Sequence, residues 1–230
     1  MNDFITESVF FGAAISLFSF WIGSLIKKKL KLGIFNPLLI AIILTIIFLK
    51  TLNVDYETYN SGAKYISYLL TPATVALAVP LYEQLEVLKK DYKAILAGIG
   101  LGSVTAVACV FILSLAFGLD HANYASLLPK SITTAIGMSL SEEMGGYTSV
   151  TVAAIVITGV IGNVLAEPLC KLLHITEPVA KGVAIGTASH ALGTSKAVEL
   201  GEVEGAISGL SIVVCGLLTV VWCAVMSSWI

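Results

Sequence analysis

The chain has 230 residues, of which 57% are hydrophobic and only 12% are charged, and its formal net charge is −2. Soluble domains carry about 25% charged residues, so this composition excludes an ordinary soluble fold. The apolar runs are continuous rather than alternating, which excludes the strands of a membrane barrel. The composition therefore predicts an all-α, polytopic helical membrane protein.

The types of polar residue limit the possible partners and chemistry. All basic residues are lysine, so bidentate recognition of phosphate by a guanidinium is excluded, and nucleic-acid binding has no support. The four cysteines are scattered without metal-site spacing, and we expect them to act as small hydrophobic residues. No nucleotide-binding motif or nucleophile–base arrangement stands out, so we predict neither a cofactor nor an enzyme.

The first half of the chain contains four candidate membrane segments. They are Ser8 to Ile26, about Leu32 to Leu49, Tyr65 to about Tyr82, and Ala94 to Phe117. The basic run Lys27 to Lys31 predicts a cytoplasmic loop by the positive-inside rule, which places the N-terminus outside. Asn53 to Asn60 is then expected to be an outside loop, and Glu83 to Lys93 a second cytoplasmic loop.

The third segment is interrupted by Pro72 and Pro80, with Thr71 and Thr74 beside the first proline. A proline removes a backbone donor and clashes with the preceding turn of a helix. One interpretation is a kink that the threonines and neighbouring helices stabilise. The other is a broken helix whose half-ends face a substrate.

The second half of the chain repeats this order of segments. Thr148 to Ala166 is a clean span, Gly182 to Gly205 is rich in Gly, Ser and Thr, and Ala206 to Ile230 is free of charge. A polar segment such as the middle one is tolerated at membrane depth only inside protein or beside a watery cavity. We therefore predict one domain over residues 1–230 with two broken helices and repeat-like halves, about 32–117 and 148–230, as in many transporters.

Leu127 to Gly146 is ambiguous because its uncharged part is only about half a span long. It is either a short crossing or a re-entrant hairpin. The re-entrant alternative would invert the second half and place the connector Glu167 to Lys181 in the cytoplasm, which fits the charge rule better. We prefer this alternative, and the total is then seven or eight transmembrane segments, counted with or without this stretch.

Small hydroxyl residues and cations are the side chains that could form a site. No Asp or Glu lies deep inside a segment, so coupling through a buried carboxylate has no support. Hydroxyls, cations and helix N-termini together favour a small anion. Each residue also has a plainer interpretation, since lysines extend to interfaces and hydroxyls bond their own backbone. The candidate substrate-binding residues are Thr71, Thr74, Lys130, Ser131, Thr133, Thr134, Thr187, Ser189, His190, Thr194, Ser195 and Lys196.

Four motifs in order resemble the CidB/LrgB family over nearly the whole chain. They are LTPATVALAVPLYEQ (Leu70 to Gln84), LLPKSITTAIG (Leu127 to Gly137), GTASHALGTSKA (Gly186 to Ala197) and GEVEGAISGLS (Gly201 to Ser211). Two positions depart from the family's pattern: Ala135 stands where proline is usual, and Lys196 stands where an arginine is frequent.

The resemblance implies a multi-pass protein of the bacterial inner membrane with a small CidA/LrgA-type, holin-like membrane partner. Family members are tied to murein hydrolase activity and autolysis, others resemble pyruvate carriers, and the plastid glycolate/glycerate transporter is similar to both partners fused. We therefore predict a homo-oligomeric carrier of small monocarboxylates of the pyruvate, glycolate or glycerate type. The alternative is a holin-like or antiholin-like pore component that controls murein hydrolase export and cell lysis.

Overall fold

The computed structural model describes residues 8, 10–30, 37–69, 72, 75–76 and 78–230. Within these residues every regular element is a helix, so the predicted all-α class is confirmed. The chain divides into two compact units, Met1–Ala76 and Leu77–Ile230, and each is described by itself.

The first unit contains three described helices: α1 (Phe11–Leu30), α2 (Pro37–Leu52) and α3 (Tyr56–Ser67). Helix α1 packs against both of the others. Gly12 allows the backbone of α1 to approach α3 closely, because a Cβ atom there would meet the main chain at Tyr59. Lys27, Lys28 and Lys29 of the predicted cytoplasmic loop belong instead to the last turn of α1.

The predicted outside loop at Asn53 to Asn60 is wrong in its second half, because α3 begins at Tyr56. The Asp55 side chain accepts a hydrogen bond from the Thr58 backbone N–H at 2.7 Å and so caps the helix. The acidic residue that indicated a loop is thus the start signal of a helix. Residues Thr71 and Thr74 lie outside the described residues, so the predicted first break and these two site residues stay predictions.

The second unit contains the remaining described helices. These are α4 (Ala78–Glu83), α5 (Leu85–Phe117), α6 (His121–Leu127), α7 (Thr134–Glu143), α8 (Thr148–Leu172), α9 (Pro178–Leu200) and α10 (Glu202–Met226), followed by a 3₁₀ turn (Ser227–Trp229). Helices α9 and α10 form the most extensive helix pair, and α5 and α8 pack on them. One core cluster joins Ile95 and Ile99 of α5 to Ile207 and Cys215 of α10.

The predicted cytoplasmic loop at Glu83 to Lys93 is largely helical, because α5 begins at Leu85. Leu88 packs on the cluster of Ile95 and Ile99, so the apolar face continues at helical spacing beneath the charged residues. The charges occupy the exposed face of the first turns. The helix then ends at Phe117, where Gly118 caps it in the left-handed conformation (φ 61°).

Residues 121–147 form a hairpin that returns to the end from which it leaves. The Tyr147 backbone N–H donates to the Ser126 hydroxyl at 2.6 Å, and His121 Nε2 lies 2.9 Å from the Met144 carbonyl oxygen. The two ends are therefore adjacent, as the re-entrant alternative requires. Helix α7 spans about 15 Å at 1.5 Å per residue, which is half of a bilayer core.

Three described helices are long and apolar enough to cross a membrane: α5, α8, and α10 with its 3₁₀ turn. Helix α2 is apolar but shorter. Many large apolar side chains on these helices are exposed, as a lipid-facing surface requires. The structure thus supports a helical membrane protein, whereas the predicted total of seven or eight segments and the repeat stay predictions.

Candidate functional site

Helix α9 is broken at His190, and this break is the centre of the candidate site. His190 has φ 43° and ψ −141°, which lies outside the helical region, while the residues on both sides are helical. The predicted interruption of Gly182 to Gly205 is confirmed at this residue. Positive φ is costly for a residue with a Cβ atom, so the surrounding contacts must hold it.

Helix α8 supplies those contacts through small residues on one face. A Cβ atom at Gly159 would meet the His190 ring, and one at Gly162 would meet the Ser189 side chain. His190 Nε2 donates to the Ile155 carbonyl oxygen at 3.0 Å. The two glycines therefore leave the space into which the break fits, and the imidazole hydrogen bond fixes its position.

The half of α9 beyond the break is tied to α8 as well. The Asn163 side-chain amide donates to the Leu192 carbonyl oxygen at 2.6 Å and to the Ser195 hydroxyl at 2.9 Å. Asn163 and the two glycines recur at spacings of three or four residues, which is one face of a helix. This spacing is visible in the sequence, and the structure shows that the face it defines packs against the broken helix.

A groove of about 480 Å³ runs along α8 beside the first half of α9. Most of its lining is apolar, and it includes both Lys130 from the hairpin and Ser189 from the residue before the break. His190 directly follows Ser189 in the chain, so the break in α9 lies beside this groove. Two of the predicted site residues thus share one groove, and a third lies close to it.

Lys130 sits at the tip of the hairpin, before the N-terminus of α7. Its ammonium donates to the Ser131 hydroxyl at 3.1 Å, and Ser131 is buried. No carboxylate among the described residues lies within ion-pair distance of Lys130. Thr133 occupies the N-cap position of α7 without a side-chain capping bond, and Thr134 is the first helical residue. Lysine, hydroxyl and uncapped helix N-terminus together form an arrangement suited to an anion.

The other predicted hydroxyl residues bond to protein groups. Thr187 donates to the Val183 carbonyl oxygen at 2.7 Å, and the Ser195 hydroxyl donates to that of Leu192 at 2.8 Å. Thr194 donates to the His190 carbonyl oxygen and shares a 2.7 Å hydrogen bond with Ser208. These contacts stabilise the broken helix and its packing on α10. They give the three residues a structural role around the site.

Lys196 is held in ion pairs and does not line the groove. Its ammonium lies 2.9 Å from a Glu167 carboxylate oxygen on α8 and 3.4 Å from one of Glu199. Glu167 also pairs with Lys171 at 2.8 Å. The Glu167–Lys196 pair therefore joins α8 to the half of α9 beyond the break. Whether Lys196 also meets substrate stays a prediction.

A second cavity of about 370 Å³ adjoins this ion-pair cluster. Glu167, Lys171, His174 and Lys181 line it, and it shares Cys170 and Ile175 with the groove. Among the described residues no group of three or more His, Cys, Asp or Glu side chains is arranged to hold a metal ion.

Glu204 is a second carboxylate that the sequence analysis did not single out. It is buried at the start of α10, with 7% of the residue exposed, and its carboxylate lies 3.7 Å from the Lys181 ammonium. It lies in the first turn of the helix, where an acidic side chain favours the helix dipole.

The long apolar helices and the break in α9 support the class of helical membrane proteins. A family model described as the LrgB-like family matches residues 16–229. The chain is 43% identical over 217 residues to proteins called "Antiholin-like protein LrgB" from Bacillus cereus strains B4264 and AH187 and Bacillus anthracis strain A0248, with 94% of each chain covered. The chain belongs to the LrgB-like family. No solved structure matches it.

Proposed function

We propose that this LrgB-like protein binds and carries small monocarboxylate anions of the pyruvate, glycolate or glycerate type. The groove between α8 and the broken helix is the proposed binding site. Lys130 provides the positive charge, while Ser131 and the N-terminus of α7 provide hydrogen-bond donors. The broken helix is the element expected to move, because the non-helical backbone of His190 separates its two halves.

The observation that supports this proposal most directly is the charge of Lys130. A lysine in a largely apolar groove is costly without a counter-charge, and functional sites are where such groups are retained. No described carboxylate pairs with it. An anionic ligand would supply the missing charge, and its size would be limited by the groove of about 480 Å³.

Uptake into proteoliposomes tests the proposal. Vesicles containing the purified chain are expected to accumulate labelled pyruvate or glycolate above the level of protein-free vesicles. Unlabelled carboxylate should compete, whereas a neutral analogue such as acetone should not. Uptake of both labelled acids equal to that of protein-free vesicles would exclude carriage of pyruvate and glycolate by this chain alone.

The second candidate is an antiholin-like pore component that controls murein hydrolase export and cell lysis. The names of the relatives support this candidate better than they support a monocarboxylate carrier. An antiholin-like role is an effect on the cell. A protein that binds carboxylates in the proposed groove could have that effect.

Dye release separates the two candidates. A pore component is expected to release a trapped fluorescent dye of several hundred daltons from vesicles, alone or with its partner. A carrier is expected to retain the dye while it moves pyruvate. Dye release that rises with protein density, without saturable uptake, would favour the second candidate.

We further propose that the chain works in the bacterial inner membrane as a homo-oligomer with a small CidA/LrgA-type membrane protein. The basis is the family resemblance. Repeating the uptake measurement with and without the co-expressed partner tests the need for it. Crosslinking of the membrane-embedded chain tests the oligomer.

A further inference from the structure

The groove that holds Lys130 is much longer than a three-carbon acid needs. Its lining extends along α8 from Ile157 to Leu173, which is about 24 Å at 1.5 Å per residue. Its volume of about 480 Å³ falls in the range of sites that enclose drug-sized ligands. A pyruvate molecule bound at Lys130 would leave most of this volume unfilled by ligand.

The remaining wall is suited to aliphatic groups. The α8 side of the groove presents mainly branched aliphatic side chains, and the α9 side includes the small residues Ala184 and Ala188. The apolar lining residues are Ile157, Ile161, Leu165, Ala166, Leu169, Leu173, Ile175, Ala184, Ile185 and Ala188. Among the lining residues near Lys130, polar atoms come chiefly from Thr158 and Ser189.

We infer that the groove selects monocarboxylates with an aliphatic tail, such as branched-chain 2-oxo acids, over pyruvate. This inference rests on the proposed function, since Lys130 takes the carboxylate in both. The tail would lie against the α8 face, where each added methylene leaves water for an apolar surface. Because one side of the groove is open, we expect an affinity gain of about two- to fourfold per methylene.

Competition binding on the purified chain in lipid nanodiscs tests this inference. The probe is labelled pyruvate, and the competitors are pyruvate, 2-oxobutanoate, 3-methyl-2-oxobutanoate and 4-methyl-2-oxopentanoate. We expect the half-inhibitory concentration to fall along this series by about tenfold or more in total. The neutral ketone 4-methylpentan-2-one carries a similar tail without the carboxylate and is expected not to compete.

Two variants narrow the groove without touching Lys130. Ala184 and Ala188 are exposed residues of its lining, so Ala184→Leu and Ala188→Leu should fill the tail space and still fold. We expect them to remove the preference for the longer acids, measured as the ratio of the half-inhibitory concentrations of pyruvate and 4-methyl-2-oxopentanoate. Ala191→Leu is the matched control, because Ala191 is exposed on the same helix outside this lining.

The outcomes distinguish failure of the tail preference from failure of the proposed function. Pyruvate binding with equal competition by all four acids would overturn the tail preference and leave the proposed function standing. Equal competition by the neutral ketone would also overturn it, because the groove would then be a general apolar surface. Absence of binding by all acids would contradict the proposed function itself. A falling series that Ala188→Leu abolishes and Ala191→Leu keeps would support the inference.

Discussion

At the scale of single residues, the candidate site is centred on Lys130 and His190. Lys130 lacks a described carboxylate partner, and His190 interrupts α9 while its ring donates to the Ile155 carbonyl oxygen. These two residues come from parts of the chain about 60 positions apart, and one groove is lined by both Lys130 and Ser189, the residue before His190. The positive charge and the strained backbone thus occur at one place.

Both ring nitrogens of His121 lie within hydrogen-bond distance of main-chain oxygens. Its Nδ1 lies 2.7 Å from the Ile230 main-chain oxygen and its Nε2 lies 2.9 Å from the Met144 carbonyl oxygen. Both partners are acceptors, so the doubly protonated imidazolium satisfies both contacts. The hydrogen bonds to Ile230 and then to Met144 raise the pKa of His121 above 6.5, and the charge of Asp120 adds to the effect.

A raised folded-state pKa means that protonation stabilises the folded chain. The contribution of His121 is therefore complete below pH 6.5 and is lost as the pH rises through the higher folded-state pKa. Thermal unfolding in detergent should show a lower midpoint above that range than below it. The variant His121→Gln should show a smaller dependence, and equal curves for both proteins would contradict the role of His121.

At the scale of elements, the close approach of α8 and α9 depends on Gly162. A methyl group at this position would meet the Ser189 side chain, so Gly162→Ala should force the helices apart at the break. Overpacking of this kind typically costs about 1–3 kcal/mol in the free energy of unfolding. The expected result is a lower midpoint in thermal or denaturant unfolding.

Gly209→Ala is the matched control for this substitution. Gly209 also lies within a helix, but a Cβ atom there meets nothing within 4 Å. Its replacement should be neutral or slightly stabilising, because alanine is the better helix former. Equal destabilisation by the two substitutions would show that the break does not depend on close approach to α8.

The Glu167–Lys196 pair is the second link between α8 and the broken helix. Glu167→Gln should weaken this link and expose Cys170, which is buried and lines both cavities. In a background where Cys170 is the only cysteine, we expect a maleimide to react with it several-fold faster in this variant. Because both side chains are partly exposed, the loss of stability should be only about 1 kcal/mol or less.

Glu199→Gln serves as the comparison for the ion pair. It removes the other carboxylate beside Lys196 but leaves the link between α8 and α9 in place. Its Cys170 reactivity is expected to match that of the single-cysteine parent. Equal acceleration by both variants would indicate that the charge of Lys196, and not the link between helices, controls access.

Much of this arrangement could be predicted from the sequence, because composition and spacing act locally. The Gly, Ser and Thr content of Gly182 to Gly205 indicated an interrupted helix, and the break lies at His190 inside it. The loops at Asn53 to Asn60 and Glu83 to Lys93 were partly wrong, since charged residues also occupy helix caps and exposed first turns. Side-chain pairing such as that of Glu167 with Lys196 depends on which helices are neighbours. The spacing of residues along the chain does not show which helices pack together.

At the scale of the whole molecule, the hairpin brings the end of α5 and the start of α8 to the same end of the second unit. Helix α5 ends and α8 begins at adjacent places, because residues 121–147 return to their starting end. Helix α8 has 25 residues, or about 37 Å, and is long enough to cross. The two ends of the hairpin should therefore face one side of the membrane, and the end of α8 should face the other.

Single-cysteine labelling tests this topology in a chain that lacks the four native cysteines. Phe117→Cys and Glu143→Cys, both at exposed positions, should react with an impermeant maleimide from the same side. Leu172→Cys, which is also exposed, should react only from the opposite side. Reaction of positions 117 and 143 from opposite sides would show that the stretch crosses the membrane.

The central claim is that Lys130 binds the carboxylate of a small acid, and equilibrium binding of labelled pyruvate to the purified chain in nanodiscs tests it most directly. Lys130→Gln should weaken binding by about tenfold or more, because a hydrogen bond to a charged group is lost. The control Lys90→Gln removes an exposed lysine of α5 and should bind like the wild type. Equal affinity of the wild type, Lys130→Gln and Lys90→Gln proteins would contradict the account.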